Sequence, residues 1–493
     1  WNGPVDFTTT AFAGNGPLTS APAAAVTPDG STQIVFWQGS GNTLWEGWYA
    51  AGAWHGPVNY SAGVAQPTTG SISGTVTDSL THAPIAGATI SYSGGGGIAT
   101  TDAGGVYTLP GVLAGQYTVS AVARGYGFST ATVTVAARTT SAQSFALVVP
   151  STGTATQPFL STSIWNTPIG TGASWAPANL VPTTKRTLVS DQHIIVMTPA
   201  APSTAINYSP AGWSPTGDRC TSTGPLPVPL TAPIPSNFLV PSSPMNDPLV
   251  ALSADGHTLI QGEPFARCVA GGPATLQWAD TRPGADLLGD GLQGFDGGSW
   301  MSALGGVIRL GELIPGGVIS HTLQIDIDGW ANLYRGTASS PCYVWPASRC
   351  DGYAPAKYGG TNPNLKMGAL LALPPTVPLD SLGLETPAGR ILATAFKDFG
   401  AYVCNDASSQ TLERSVNNIV TEVGPDPTTG GTVAVAANGT DPGQFQTVWG
   451  FPFATTGVNG TDGWSHDIAA IFAALAIVTN NSPSSVGGGG SPW

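Results

Sequence analysis

Charge is scarce in this chain: Asp, Glu, Lys and Arg make up 9% of its 493 residues, against roughly 25% in an average soluble domain. The 15 Lys and Arg are thinly spread and outnumbered by 28 Asp and Glu, leaving a net charge of −13. With no basic run to neutralise phosphates, nucleic acid is excluded as a partner and an anionic membrane surface is disfavoured. Long apolar runs are missing too. The best candidate, Ile468 to Val478, falls short of the roughly 18–20 residues of a membrane span, so no membrane insertion is expected. Catalytic signatures are equally sparse. No GxSxG, HExxH, P-loop or dinucleotide-binding fingerprint occurs, which removes support for a serine hydrolase, zinc protease, dehydrogenase or NTPase.

Cysteines number five, and none forms a close CxxC pair, so no zinc site is expected. Cys342 and Cys350 flank the segment YVWPASR, a span that a hairpin-like loop closes with a disulfide. Cys220 with Cys268 is the natural second pair, leaving Cys404 as a buried free thiol. Disulfides place the chain in an oxidising compartment, as a secreted, extracellular protein.

What is abundant is glycine (66), proline (43) and aromatic surface, with 15 Trp, 15 Phe and 12 Tyr. That combination describes folded, turn-rich β-structure rather than disorder. The length exceeds one hydrophobic core, so two to four domains are expected. The fold class read from these patterns is mainly β: a partial propeller blade, a small Greek-key β-sandwich, then a large jelly-roll-like β-sandwich domain with few helices.

In residues 1–64, WNGPVDF at 1–7 returns as WHGPVNY at 54–60, an internal repeat. Period-2 runs and Pro-Asp-Gly and Gly-Ser-Gly-Asn turns between them predict four short strands, the content of one propeller blade. The pattern PDG…VFWQG…LWEGWYAAGAWHGP resembles the bacterial lectin-like propeller repeats related to the PLL lectins. That resemblance implies sugar binding between blades, with Trp37, Trp45, Trp48 and Trp54 as stacking faces; packing of blade on blade is the plainer use of the same residues. One blade and the tail of another do not close a ring, so further blades are expected upstream of Trp1, in a parent protein from which the chain is processed or truncated.

Residues 69–149 alternate as seven or so strands with the spacing of a small sandwich. GTVTD…PIAGATI and TTDAGGVYTLPGVLAGQYTVSAVARGY are similar to the carboxypeptidase regulatory-like domain over its whole length, which implies a rigid spacer. Gly74, Gly87, Gly104 and Gly115 are expected to punctuate turns. Ile72, Val76, Ile90, Val106, Tyr107, Tyr117 and Val119 are expected to face inward, with Asp78 and Asp102 as turn-formers.

After the polar linker STGTATQP, residues 159–493 read as one large β-rich domain, a catalytic or binding unit. Helices are predicted from about Pro387 to Phe399 and from Asp467 to Ile477. SIWNTPIG, GGSWMSALGGVIRLGEL, ISHTLQID, VWPASRCDGYA and YGGTNPNLKMGALLALPP resemble a group of secreted bacterial proteins; the pattern of that group carries His where this chain has Asp296. The group brings no activity with it, so the chemistry rests on the residues.

In a domain so poor in charge, ionisable residues beside apolar strands carry weight. The acidic candidates are Asp290, Asp296, Glu312, Asp326, Asp328, Asp351 and Asp398. Two carboxylates at suitable spacing would make a glycosidase. A polysaccharide lyase would use His321, Tyr402 or Lys366 as base, with Arg309, Arg349 or Asn364 neutralising a uronate carboxylate. In RLGELIPGGVISHTLQID (309–326) two β-runs flank Pro315-Gly316-Gly317, predicting a hairpin that sets Glu312 beside His321 on one face. The carboxylate would then orient the imidazole as a general base or acid, or the pair would only pin the sheet. DIDG (326–329) opens like a calcium loop but lacks its later ligands, so no cofactor is expected.

The expected catalytic residues are therefore His321, Glu312, Asp296, Asp398 and Tyr402. The expected function is a secreted polysaccharide-active glycoside hydrolase or lyase, with a polysaccharide or cell-surface glycan as partner. The alternatives are a non-catalytic glycan-binding or adhesion protein and a hydrolase of another extracellular polymer.

Overall fold

Short alternating runs cut by glycine and proline give short strands nearly everywhere, and the structure is mainly β with several sheets. The computed structural model describes residues 23–26, 32–39, 43–50, 53–59, 69–92, 98–123, 126, 129–147, 156–184, 187–282, 284–407, 416–455 and 462–490. Trp1 and the side chains of Trp37, Trp45 and Trp54 lie outside the described residues. The chain packs as two units, one of Trp1–Ser73, Thr108–Tyr117 and Val133–Ala142, the other of Gly74–Tyr107, Thr118–Thr132 and Gln143–Trp493.

In the first unit, β1 (Ala23–Val26), β2 (Gln33–Gly39), β3 (Thr43–Ala50) and β4 (Ala53–Asn59) form a four-stranded antiparallel meander in sequence order. Across β3 and β4 the Trp48 ring stacks on His55 at 5.7 Å and 17°.

The next strands are β5 (Thr69–Asp78), β6 (Thr89–Tyr92), β7 (Ile98–Thr100), β8 (Val106–Leu113), β9 (Gly115–Val122), β10 (Ser129–Val135), β11 (Thr140–Ala142) and β12 (Phe145–Leu147). They make one sheet ordered β10-β9-β6-β7 and another ordered β11-β5-β12, with β8 also on β5. Ile72, Val76, Ile90, Tyr107 and Val119 are buried as expected. Val106 is not: it is 44% exposed, because β8 alternates and its neighbour Tyr107 takes the inward position. Tyr117 is only half-buried. Gly74 also differs from expectation. It lies within β5 rather than at a turn, where a Cβ would come 1.7 Å from the Gln143 carbonyl oxygen. The Asp78 carboxylate accepts from the backbone N–H groups of Leu80 and Thr81, the turn-forming role expected of it.

The large domain continues with β13 (Trp175–Pro177), β14 (Val189–Val196), β15 (Ser203–Tyr208), β16 (Gly224–Pro233), β17 (Leu249–Leu252), β18 (Leu259–Glu263), β19 (Ala274–Leu276) and β20 (Trp278–Ala279). β21 (Leu323–Ile327), β22 (Leu370–Ala372), β23 (Ala401–Asp406), β24 (Asn418–Pro425), β25 (Thr432–Ala434) and β26 (Ala476–Val478) complete it. An 11-stranded sheet runs β13-β26-β22-β23-β21-β24-β14-β17-β18-β20, with β25 beside β24; β16-β15-β19 form a second sheet. β14 pairs in parallel with both β24 and β17, and β21 with β23. Such strands are buried on both faces, and β23 and β21 are buried at every position.

The helix Pro387–Asp398 forms where predicted, its first turn capped by the Thr386 hydroxyl on the Gly389 N–H. The second helix runs Gly463–Ala474, earlier than predicted. Asp462 caps it, and Ala476–Val478, read as its last turn, is strand β26 instead. The β-branched Ile477 and Val478 pair with β22 and β13 there.

The hairpin predicted at 309–326 is absent. Residues 310–316 form turns, Ile308 makes an isolated parallel bridge to Thr421, and only Leu323–Ile327 is a strand. β23, parallel, and β24, antiparallel, flank β21 and claim the edges that a local hairpin would have used.

Both expected disulfides form, with Cα separations of 5.8 Å for Cys220–Cys268 and 6.0 Å for Cys342–Cys350, and Cys404 is a buried free thiol. The loops they close have sequence separations of 48 and 8. Chain entropy then assigns about 4 kcal/mol to the first and about 2.5 to the second. Melting of the two double serine variants should show Cys220→Ser/Cys268→Ser as the less stable; the reverse order would count against this assignment.

Candidate functional site

Three adjacent strands of the large sheet, β21, β24 and β14, carry an unusual stripe. Asp326 pairs with Asn418 across β21 and β24, while Asp191 and His193 stand opposite Val420 and Glu422 across β24 and β14. Residues two apart share a face, so Gln324 and Asp326, Asn418 and Glu422, and Asp191 and His193 point the same way. Asp191, His193, Gln324, Asp326 and Asn418 have no solvent exposure.

The loop Gly294–Ser302 covers this stripe. The ring Nδ1 of His193 lies 2.7 Å from the Ala303 carbonyl oxygen, which only accepts, so Nδ1 carries the proton. Its Nε2 then faces Asp296 Oδ1 at 3.5 Å and Asp191 Oδ2 at 3.8 Å. Gln324 donates to the Ser302 carbonyl and Asn418 to Asp326.

Burial alone would hold His193 neutral, but the Asp296 and Asp191 carboxylates outweigh it and raise the imidazole pKa. Burial pushes Asp296 up to about 7, against the pull of His193. Burial, then the charges of Asp191 and Asp296, hold Asp326 well above the ordinary carboxylate range. His193 Nε2, both oxygens of Asp191 and Asp296, Gln324 Oε1 and Asn418 Oδ1 have no hydrogen-bond partner from the protein by heavy-atom geometry. Such a concentration of unmet buried polar atoms marks functional ground. Among the described residues, no three His, Cys, Asp or Glu side chains converge as metal ligands.

A cleft of about 460 Å³ opens above the loop. Its walls are aromatic: Trp213, Trp278, Phe295, Trp300 and Tyr353. Its polar groups are Asn246, Glu263, Arg349, Asp351 and Asn405. Trp278 is 54% and Trp213 40% exposed, an uncommon display for large aromatics outside a binding site. Glu263 pairs directly with Trp278 across β18 and β20, which sets the carboxyl beside an indole. Trp213 donates to Asn246, and its segment is tied down by the buried Arg219–Asp247 ion pair at 2.9 Å and by Cys220–Cys268.

Asp351 follows the Cys342–Cys350 loop and accepts from the Tyr358 hydroxyl. Gly297 and Gly298 let the loop backbone pass between these groups. Gly297 has φ +40°, and a Cβ there would meet the Asn405 amide at 2.1 Å; one on Gly298 would meet the Asp351 carboxylate at 2.6 Å. Burial, then the nearby Asp296 charge, raises Glu263 well above its ordinary value. Burial lifts Asp351 to about 6, opposed by the Tyr358 hydrogen bond.

Of the residues expected from sequence, Asp296 lies in this buried cluster. Glu312 and His321 do meet, with 3.1 Å between Oε2 and Nε2, but away from the cleft, packed beside Arg309 and Trp165 over a cavity of only about 10 Å³. Glu312 also accepts from the Arg309 N–H, and Arg309 pairs with Glu422. Tyr402 is fully buried on β23, edge-on to Trp165 and bonded to Asn481. Asp398 ends the helix Pro387–Asp398, where its carbonyl accepts from Ile169. Lys366 donates to Ser340 beside a separate cavity that Asn364 also lines. Asp328 caps the short helix Gly329–Asn332.

The sequence reading missed His193, Asp191, Glu263, Trp213 and Trp278. The signal was there in VSDQHIIV and LQIDI, where ionisable residues stand inside strands that also carry apolar core residues.

Residues 71–148 match the carboxypeptidase regulatory-like domain. The match is to this segment of the chain. No curated protein matches. Among solved structures, a type II cohesin–X-dockerin complex of Acetivibrio cellulolyticus is 32% identical over 15% of this chain and 51% of that one, at a TM-score of 0.13. The major pilin subunit of Bacillus cereus is 16% identical over 27% and 40%, at 0.16. The minor pilin of Streptococcus agalactiae is 16% identical over 25% and 62%, at 0.16. The chain spans about half the length of the cohesin–X-dockerin chain it matches. Likeness of this extent speaks to neither site nor substrate.

Native Asp296, Glu263 and Asp326 hold protons that the unfolded chain releases above its ordinary carboxylate values of 3.8 to 4.5. Stability therefore falls as pH rises from about 4 through about 7. His193, raised above 6.5, acts with the same sign. Asp78 and Asp255, lowered to about 2, lose their contribution only below the ordinary range and leave this window untouched. Calorimetry should give a higher melting temperature at pH 5 than at pH 8, and Asp296→Asn should flatten the slope. A melting temperature rising toward pH 8 would contradict the protonated cluster.

Proposed function

We propose that the chain is an extracellular glycan-active protein whose large domain hydrolyses glycosidic bonds in the Trp213–Trp278 cleft. The observation that carries this reading is the pairing, in one aromatic-walled cleft, of a carboxyl held protonated with a second carboxyl that ionises near pH 6. Two carboxyls pushed to different protonation states are what acid–base hydrolysis of a glycoside requires. Glu263 gives its proton to the leaving glycosidic oxygen as the C–O bond breaks. Asp351 either takes a proton from the water attacking the anomeric carbon or attacks that carbon itself before water completes the reaction. The net change is addition of one water across the bond. Trp213 and Trp278 supply faces on which sugar rings stack, and burial, with the Asp296 charge behind it, favours the protonated form of Glu263.

The disulfides support an oxidising, extracellular setting. The Trp48–His55 stack on the N-terminal meander fits a glycan-binding repeat, and the carboxypeptidase regulatory-like segment fits a spacer. A lyase is the second reading, favoured by Tyr353 and Arg349 lining the same cleft. It would produce unsaturated uronate ends in place of simple reducing ends.

A polysaccharide panel scored for both kinds of end decides between them. For hydrolysis, Glu263→Gln and Asp351→Asn should each lower kcat by about 10²–10⁴-fold while leaving the fold intact. The profile of kcat/KM should fall below about pH 6 as Asp351 takes up its proton, and fall again on the alkaline side as Glu263 loses its own. Binding of a glycan with no product from any member of the panel would leave a non-catalytic lectin as the better account.

A further inference from the structure

Arginine is rare here, and five of the eight among the described residues are committed. Arg219 pairs with Asp247, Arg282 with Asp280, Arg309 with Glu422 and Arg390 with Asp380, while Arg267 donates to the carbonyls of Pro235, Phe238 and Gly272. Arg349 differs. Its guanidinium lies over the Trp300 ring, 4.5 Å from the centroid, and it lines the cleft. Among the described residues it makes no ion pair and no hydrogen bond. It is the only cation among the twelve residues around the cleft. Its charge reaches Asp351 without a direct contact.

The other groups around Trp300 are spoken for. Phe295 stacks on it at 5.8 Å, and Arg282 sits 4.8 Å from its centroid, already bound to Asp280 and to the Gly294 carbonyl. The Cys342–Cys350 bridge closes the loop that presents Arg349. A guanidinium over an indole, on a braced loop that lines a sugar-sized cleft, is placed to receive a planar anion.

Resting on the glycan-active reading of this cleft, we propose that its substrate is an acidic glycan and that Arg349 binds the carboxylate of a uronate residue in a two-pronged hydrogen-bonded pair. Burial, which raises Glu263 well above its ordinary value, makes the site more tolerant of that charge.

The test measures binding with the full chain carrying Glu263→Gln, so that no turnover occurs. The probes are polygalacturonate, alginate and glucuronoxylan, each beside its carboxyl-reduced form, in which the uronate is a neutral sugar, together with κ-carrageenan, which is sulfated and free of uronate. At least one native polyuronate should bind ten-fold or more tightly than its reduced form. Adding Arg349→Gln should abolish that preference, weakening the acid polymer by about 10–100-fold and leaving the reduced polymer within about two-fold. Arg349→Lys, which keeps charge but not the fork, should fall between.

Equal weakening of native and reduced polymers by Arg349→Gln would show that Arg349 only holds Trp300, and would overturn the proposal. So would the absence of any preference for a native polyuronate, or tight binding of carrageenan alone. Failure of hydrolysis reads out separately, as wild-type protein that binds a polyuronate with an Arg349-dependent preference yet releases no ends from any polymer.

Discussion

One imidazole anchors the large domain's polar centre. His193 is fully buried, its Nδ1–H is fixed by the Ala303 carbonyl, and its Nε2 is left to face two carboxylates. In a chain with so few charges, ionised groups sealed in the middle of a mixed sheet would be costly if unmatched. The arrangement is tenable because burial raises Asp296 and Asp326 toward their neutral forms. That constraint reaches outward. It fixes the course of the Gly294–Ser302 loop, the loop fixes Gly297 and Gly298, and those glycines set the spacing between Asn405, Glu263 and Asp351.

The two disulfides act on opposite walls of the same cleft. Cys220–Cys268 lies in the region that carries Trp213, where Arg219 and Asp247 complete the anchoring. Cys342–Cys350 precedes Asp351 directly. Trp213 and Asp351 lie in loops, and loops are where a rigid scaffold places its binding groups. The cross-links do there what a dense hydrophobic core does for the strands behind.

Much of the architecture could be read from residue patterns. The turn-rich β character, the sandwich over 69–149, the disulfide pairs and the helix from Pro387 each rest on local signals: alternation, short loops, a Thr cap and a terminal glycine. What escaped was set by long-range pairing. Nothing in RLGELIPGGVISHTLQID announces that distant strands take the edges a hairpin would use, though the Glu312–His321 contact survives by another route. The candidate site was legible only in part. Asp296 stood out in a glycine-rich loop, but His193 and Asp191 come from β14 and Glu263 from β18, brought together by sheet order rather than by sequence spacing. Trp213 and Trp278 looked like any other tryptophan until their exposure was known, whereas the Trp-rich N-terminal segment drew attention by number alone.

The short bridge between Cys342 and Cys350 ties chemistry to geography. Arg349 and Asp351 sit on either side of its second cysteine, so anion capture and the ionisable carboxyl both hang from a bond that a reducing cytosol would not sustain. A newly made chain would carry every residue of the cleft yet hold two of them on an open tether, their positions spread over the conformations of a free loop. Crossing into oxidising surroundings closes that loop. On the proposed reading of the cleft, closing that loop is the step that sets Arg349 and Asp351 in place together.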